Sequence, residues 1–152
     1  MEINKIDESP GYLIESLSRN MRRFSAQQLR ESKIDLTLEQ VSVLSILDER
    51  GSKFQNELAD IMSKDNPTLT RILDLLEKKS YLKRELSSGD RRKFLIVLTK
   101  EGEKKIAQAM PIIKQIRSTL FEDVSSNDLN QLLNLKERIE GNISNHSKDV
   151  DN

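Results

Sequence analysis

Two adjacent arginines occur in a short polar segment, and arginine is the side chain best suited to pairing with phosphate. Arg91 and Arg92 follow Asp90 within residues 87–92, where serine and glycine favour a turn. Guanidinium groups bind phosphates, and they also enter narrow minor grooves of double-stranded DNA, whose negative potential attracts them. The segment therefore suits a nucleic-acid contact. The alternative is a solvated turn with a surface salt bridge, which would contribute about 0–1 kcal/mol.

A second group of polar residues lies where the sequence predicts the start of a helix. Asn66 can cap that helix and Pro67 can be its first residue. Thr68, Thr70 and Arg71 follow within about one turn. A major groove about 12 Å wide admits one helix, whose threonine can contact bases and whose arginine can bind guanine or phosphate. We expect DNA contact here, helped by free N–H groups, although the threonines could be ordinary first-turn residues and Asn66 only a cap.

The pattern around these residues predicts a helix-turn-helix followed by a hairpin. Apolar residues recur at helical spacing over residues 55–62 and again over residues 66–79, with a polar turn between the two segments. Residues 82–86 and 93–98 are instead rich in strand-forming side chains. We therefore expect a two-stranded wing whose basic tip carries the two arginines.

Longer helices are predicted around this unit. Helix-start signals precede apolar stripes at four places: Ser9, Thr37, Thr99, and Ser125 or Ser126. Pro111 should kink the third of these helices, because proline removes one backbone hydrogen bond and clashes with the preceding turn.

The first helix and the last two carry more leucine and isoleucine than one thin layer requires. A second apolar surface could consist of Ile112, Ile113, Ile116, Leu129, Leu132 and Ile139. Because a long apolar stripe typically marks an interface, we expect an intertwined homodimer; the alternative is that these helices pack only on their own chain.

The expected fold is mainly α with a small β-hairpin wing, namely a winged helix-turn-helix with N- and C-terminal dimerisation helices. The expected domains are an N-terminal dimerisation helix at residues 1–36, the winged unit at 37–99, C-terminal dimerisation helices at 100–146, and a flexible tail at 147–152.

Composition argues against several classes of function. Basic and acidic side chains number 25 each, so the net charge is zero, yet residues 78–93 hold seven basic and two acidic residues, a local net charge of +5. Cysteine is absent and the one histidine, His146, lies in a polar tail, so neither thiol chemistry nor a zinc site is expected. The sequence has no evident nucleophile–base pair, secretion signal or membrane-spanning run. We therefore expect a cytoplasmic protein that is not an enzyme and needs no cofactor, metal or membrane.

Five short segments, taken together and in order, resemble the MarR family of bacterial transcriptional regulators. They are Glu57-Leu58-Ala59, Pro67-Thr68-Leu69-Thr70-Arg71, the run of residues 76–82, Asp90-Arg91-Arg92, and Leu98-Thr99-Lys100-Glu101-Gly102. Each segment is weak alone, and their order and spacing make the resemblance specific. The chain departs from the family pattern at Ser63 and Lys64, where glycine and an apolar residue are common. It also has Phe54 at a position where a capping Ser or Thr is frequent, so Ser52 could cap instead.

The resemblance implies a dimeric DNA-binding regulator, which by family habit would be a repressor. It further implies that Arg92 enters the minor groove and that Asp90 helps to orient it. Arg84 and Lys93 are then phosphate contacts or plain solubilising charges. A two-fold dimer should bind a pseudo-palindromic operator with half-sites about 10 bp apart. The alternative is a winged helix used only for protein–protein contact, against which the basic wing tip argues.

Family members often bind small phenolic or other lipophilic molecules between the dimerisation helices and the winged unit. By resemblance, the lining residues would be Tyr12, Leu13, Met21, Phe24, Leu44 and Met110. The alternative is that these side chains are ordinary core, which is the commoner role at helical spacing. An effector that binds the DNA-incompetent arrangement better would release DNA.

Overall fold

Helices dominate the chain, and a small sheet interrupts them. A computed structural model describes residues 6–86 and 94–150, with side chains as far as residue 146. The described helices are α1 (Pro10–Glu31), α2 (Leu38–Arg50), α3 (Gln55–Met62), α4 (Asn66–Lys78), α5 (Lys100–Leu120) and α6 (Ser126–Val150). The described strands are β1 (Lys53–Phe54), β2 (Leu82–Leu86) and β3 (Phe94–Leu98), and a 3-10 turn at Ile6–Glu8 precedes α1. This is the expected mainly α fold with a winged helix-turn-helix.

Side-chain caps begin the helices at the predicted places. The Ser9 hydroxyl accepts the Tyr12 N–H at 3.3 Å. Thr37 accepts the N–H of Gln40 at 3.2 Å and its own N–H donates to the Gln40 side chain at 3.1 Å, which completes a capping box. At α6 the cap is Ser125, the first of the two serines considered. Its hydroxyl accepts the N–H of Asp128, and its own N–H donates to the Asp128 carboxylate.

Two predicted caps are wrong. Asp65, not Asn66, caps α4, because its carboxylate accepts the Thr68 N–H at 2.7 Å. Asn66 is the first helical residue and the proline follows it. At α3 the cap position is Phe54 rather than Ser52, and the Phe54 N–H donates to Glu57 at 2.7 Å. In both cases an acidic side chain satisfies the helix start.

The sheet has the order β1-β3-β2, and both pairings are antiparallel. The wing strands pair from Leu82↔Leu98 to Leu86↔Phe94. β1 was not predicted, because two residues are too short to show a strand period. It adds a third strand through the pairing of Lys53 with Ile96.

A leucine-rich core joins the helices to the sheet. Side chains with no more than 1% exposure include Leu44, Leu58, Leu69, Leu73, Leu76, Leu82, Ile96 and Ile106. Ile113 and Ile116 are also buried, at 7% and 5% exposure. The prediction that these two isoleucines contribute to a second apolar surface is therefore wrong, because they pack within their own chain.

The chain forms two compact units, Met1–Arg117 and Ser118–Asn152. In the first unit, Tyr12, Leu13, Ile14 and Leu17 of α1 are exposed. In the second, the exposed apolar side chains of α6 are Leu129, Leu132, Leu133, Leu135, Ile139 and Ile143. Each unit therefore presents an apolar helix face with no cover from its own core.

Candidate nucleic-acid interface

The N-terminus of α4 is capped by the carboxylate of Asp65. Both Asp65 oxygens are engaged, one by the Thr68 N–H at 2.7 Å and the other by the Thr68 hydroxyl at 3.0 Å. The backbone hydrogen bond from Thr68, followed by the side-chain bond, lowers the pKa of Asp65 from its usual value. An ionised carboxylate thus occupies the helix end. Of the N–H groups that were expected to favour phosphate, the Thr68 N–H is therefore already bound within the chain.

Thr70 is held by two hydrogen bonds. Its hydroxyl donates to the carbonyl of Asn66 at 2.8 Å and accepts from Gln55 Nε2 at 2.9 Å. A hydroxyl has one proton to donate, so Thr70 has none left for a base. The Thr68 hydroxyl is likewise spent on Asp65. These threonines retain hydroxyl oxygens that can accept a hydrogen bond from a base. Their methyl groups suit contact with the thymine methyl.

Arg71, Asn66 and Pro67 are exposed at the same helix end. Within residues 6–86 and 94–146, no ion pair is formed by Arg71. Its guanidinium can therefore meet an incoming acceptor without first breaking a salt bridge to any of these described residues. Among the predicted contacts on α4, this side chain is the strongest candidate for guanine or phosphate.

Arg84 has a different environment from the one its sequence position suggested. Its guanidinium pairs with Asp74 at 2.7 Å and with Glu77, and its side chain is only 17% exposed. The prediction that Arg84 is a phosphate contact or a solubilising charge therefore gives way to an internal pairing. Nearby, Lys83 pairs with Glu85 at 2.6 Å. Lys83 and Arg84, two of the seven basic side chains counted along residues 78–93, are thus paired within the chain.

The predicted wing tip lies outside the described residues. It comprises Asp90, Arg91, Arg92 and Lys93. The strands on either side of it are described, and their pairing reaches Leu86 and Phe94. The two strands of the predicted hairpin are therefore present and paired.

The turn between α3 and α4 explains one departure from the family pattern. Ser63 has φ 49° and ψ 46°, the left-handed conformation that favours glycine. The Lys64 N–H donates to the Ala59 carbonyl at 3.0 Å and closes the helix end. The chain therefore keeps the turn with serine at the position where glycine is common.

The start of α5 is pressed against the turn that follows α4. The Thr99 hydroxyl donates to the Ser80 carbonyl at 2.6 Å and accepts the Gly102 N–H at 3.1 Å. A Cβ on Gly102 would lie 2.0 Å from the Tyr81 carbonyl oxygen. Glycine is therefore required for this close approach, which ties α5 to the base of the wing.

An ion-pair cluster joins three separate elements of the first unit. Asp35, between α1 and α2, pairs with Lys79 at 3.2 Å and with Lys105 of α5. Lys105 also lies 5.8 Å from the centre of the Tyr81 ring. The hydrogen bond from Lys105, assisted by Lys79, lowers the pKa of Asp35, and the same bond raises the pKa of Lys105. Sequence reasoning missed this cluster, because its members are far apart in the chain.

The six residues predicted to line an effector pocket lie on α1, α2 and α5. Tyr12 and Leu13 are 42% and 52% exposed, whereas Leu44 is fully buried. Met21, Phe24 and Met110 are half-buried. For Leu44 this favours the core interpretation, and the role of the others stays a prediction.

Two classes of site have no candidates in the described part of the chain. No group of three or more His, Asp or Glu side chains there could hold a metal ion. No helix of residues 6–86 and 94–150 is long and apolar enough to span a membrane.

Comparison with known proteins agrees with this architecture. Residues 36–94 match the model of the MarR family. BpsR from Bordetella bronchiseptica, whose DNA binding is regulated by 6-hydroxynicotinic acid, is 21% identical, with a TM-score of 0.81 over 91% of this chain and 98% of that one.

Two similar structures contain DNA. MepR from S. aureus, solved as a DNA complex, is 26% identical, with a TM-score of 0.77 over 88% of this chain and 98% of that one. A mutant MarR from E. coli, complexed with operator DNA, is 25% identical, with a TM-score of 0.76 over 85% of this chain and 91% of that one. The chain is therefore similar to the MarR family over residues 36–94, and it shares its fold with solved structures of MarR-family regulators.

Proposed function

We propose that the protein is a sequence-specific repressor that binds double-stranded DNA as a homodimer and is released by a small lipophilic or phenolic effector. One observation carries the DNA-binding part most directly. The guanidinium of Arg71 is exposed and forms no ion pair within residues 6–86 and 94–146, and it lies beside Thr68 and Thr70, whose hydroxyl protons are bound within the chain. The guanidinium of Arg71 and the methyl groups of the half-buried Thr68 and Thr70 suit contact with base edges in the major groove.

We assign different DNA contacts to α4 and to the wing. α4 would read bases through Arg71, Thr68 and Thr70, with Asn66 and Pro67 beside them. The wing would add a minor-groove contact through Arg91 and Arg92, oriented by Asp90, with Lys93 on a phosphate. Minor-groove arginines recognise groove width more than base identity, so we assign sequence choice mainly to α4.

Dimerisation is supported by the exposed apolar faces of α1 and α6. Leu17, Leu132 and Ile143 are each about 60% exposed in the single chain. Faces of this kind are costly to leave in water. We therefore assign residues 1–36 and 100–146 to the dimer and residues 37–99 to DNA, with residues 147–152 as a tail. A two-fold dimer would place two α4 helices in successive major grooves.

An effector would act on the same framework. BpsR shares the fold, and its DNA binding is regulated by 6-hydroxynicotinic acid. In this chain the half-buried Met21, Phe24 and Met110 and the exposed Tyr12 and Leu13 are the side chains we assign to such a molecule. Binding would favour the dimer arrangement that does not match the operator.

The test is selection of bound DNA from a random pool, followed by a salt titration on the selected site. We expect an inverted repeat with half-sites about 10 bp apart and a steep salt dependence. Arg92→Ala should weaken binding by about 1–3 kcal/mol, whereas Lys104→Ala, which removes an exposed positive charge on α5, should not. The absence of any enriched sequence would overturn the proposal and favour a protein-binding winged helix.

A further inference from the structure

We propose that Arg84 is a positioning residue for DNA binding, one that fixes the wing against α4, and not a phosphate contact. The proposal rests on the proposed function, because it concerns how the two DNA-contacting parts are held together.

Arg84 makes three polar contacts with one face of α4. Its guanidinium donates to Asp74 at 2.7 Å and, through the other terminal nitrogen, to Glu77. Its backbone N–H donates to the second Glu77 oxygen at 3.1 Å. A planar guanidinium that bridges two carboxylates is oriented as well as bound. The strand is therefore held at its backbone and at its side-chain end.

The position of Arg84 in the hairpin makes this attachment effective. Arg84 lies in the middle of β2, directly opposite Ile96 in β3. Directly opposite residues share one face of an antiparallel pair, and Ile96 is fully buried. Leu82, two residues earlier on the same face, is also buried. The hairpin is thus fixed to the core by apolar contact and to α4 by Arg84.

The partners of Arg84 continue the DNA-contacting end of α4. Asp74 is four residues after Thr70 and three after Arg71, so it lies one turn along the same side of the helix. Asp74 is 59% exposed, whereas the Arg84 side chain is 17% exposed. The bridge therefore connects the base-reading turn of α4 to the strand that leads into the wing.

Charge gives the pairing a second consequence. Asp74 and Glu77 place two negative charges on a helix that approaches phosphates, and Arg84 is the cation that pairs with both. Removing Arg84 would free the wing and also leave two carboxylates facing an anionic ligand. Removing the carboxylates instead would free Arg84. The two kinds of variant therefore separate a positioning role from a direct contact.

The experiment is a double-mutant cycle on the selected operator, with DNA affinity, salt slope and active fraction measured for each variant. Arg84→Gln should weaken binding about tenfold, and in an Arg92→Ala background it should have little further effect. Glu77→Gln should also weaken binding, because it releases the wing. Asp48→Asn, which removes an exposed acidic side chain of α2, is the control for loss of a carboxylate and should leave affinity unchanged.

A direct phosphate contact gives the opposite pattern. Arg84→Gln would then reduce the salt slope by about one and add to the effect of Arg92→Ala, and Glu77→Gln would tighten binding. That result overturns the proposal. Arg84→Lys, which keeps the charge but cannot bridge both carboxylates, tests the same point if Arg84→Gln folds poorly, and we expect it to behave like Arg84→Gln. If Arg92→Ala itself binds like the parent, the wing contact of the proposed function fails, and a role for Arg84 through that contact fails with it.

Discussion

Gln55 Nε2 lies 2.9 Å from the hydroxyl oxygen of Thr70 and joins the first residue of α3 to the N-terminal part of α4. The same hydroxyl donates a hydrogen bond to the Asn66 carbonyl at 2.8 Å. A residue on the first helix of the helix-turn-helix therefore sets the side-chain orientation of a residue on the second.

Gln55→Ala should change base preference more than total affinity. Without Gln55, the Thr70 side chain loses one of the two bonds that hold it, so its methyl group is no longer fixed against a base. Repeating the DNA selection should show relaxed preference at the base pairs beneath Thr70. Asn56→Ala, the neighbouring exposed amide, is the control. An unchanged base preference would mean that the bond within α4, from Thr70 to the Asn66 carbonyl, is enough to orient Thr70.

Gly102→Ala should destabilise the protein by about 1–3 kcal/mol. The added Cβ would meet the Tyr81 carbonyl oxygen at 2.0 Å and Leu98 Cδ1 at 2.7 Å, so backbone must move. Urea unfolding measures the change. Gly141→Ala is the matched control, because nothing lies within 4 Å of that position in α6. Alanine there should stabilise by about 0.5–1 kcal/mol. Equal effects at the two glycines would contradict the close approach.

Ser63→Gly should stabilise the protein by about 0.5–1 kcal/mol. The left-handed conformation costs a residue with a Cβ about 1–2 kcal/mol, and the greater freedom of glycine in the unfolded chain offsets part of that gain. Ser32→Gly is the control, because Ser32 also ends a helix but has φ −82°. Thermal unfolding of both variants should give opposite signs. A loss of stability at Ser63 would rule out strain at this turn.

Asp35→Asn should lower stability near neutral pH, by about 1 kcal/mol or less because the carboxylate is half exposed. The hydrogen bond from Lys105 lowers the pKa of Asp35 in the folded protein. The ionised form is therefore favoured by folding, and its contribution is present above the unfolded pKa of about 3.9 and lost as pH falls through the lower folded pKa.

Urea unfolding between neutral and acidic pH measures this contribution. The parent should lose the Asp35 contribution at the acidic end, and the gap between parent and Asp35→Asn should close there. Asp48→Asn, at an exposed α2 residue, is the control and should leave the curve unchanged. A gap that persists at acidic pH would mean that Asp35 acts through packing.

Local signals predicted the helix starts well, and tertiary contacts account for most of what was missed. Ser9, Thr37 and Thr99 cap helices through bonds that span three residues, so sequence spacing contains the information. Arg84 meets partners seven and ten residues away, across a turn whose geometry composition does not specify. The same reason explains why Ile113 appeared free for an interface when its own chain buries it.

The cap of α4 was predicted at the wrong one of two adjacent residues. Asp65 and Asn66 are adjacent and both are good caps, so the pattern alone could not choose between them. The difference matters, because Asp65 brings a negative charge to the end of the helix and Asn66 does not. The candidate contacts on α4 were correctly placed at one helix end, but the chemistry of that end was not.

Three helices of this protein end on residues other than glycine in a backbone conformation that favours glycine. Lys33, Ser63 and Ser80 have φ values of 57°, 49° and 60°. Each is a place where one substitution can add stability without changing the side chains that we propose to contact DNA. Regulators acquire new operators through substitutions that usually destabilise the fold. Glycine in place of Lys33 or Ser80 would raise the stability of the fold. That gain would offset the stability lost through substitutions that change DNA specificity.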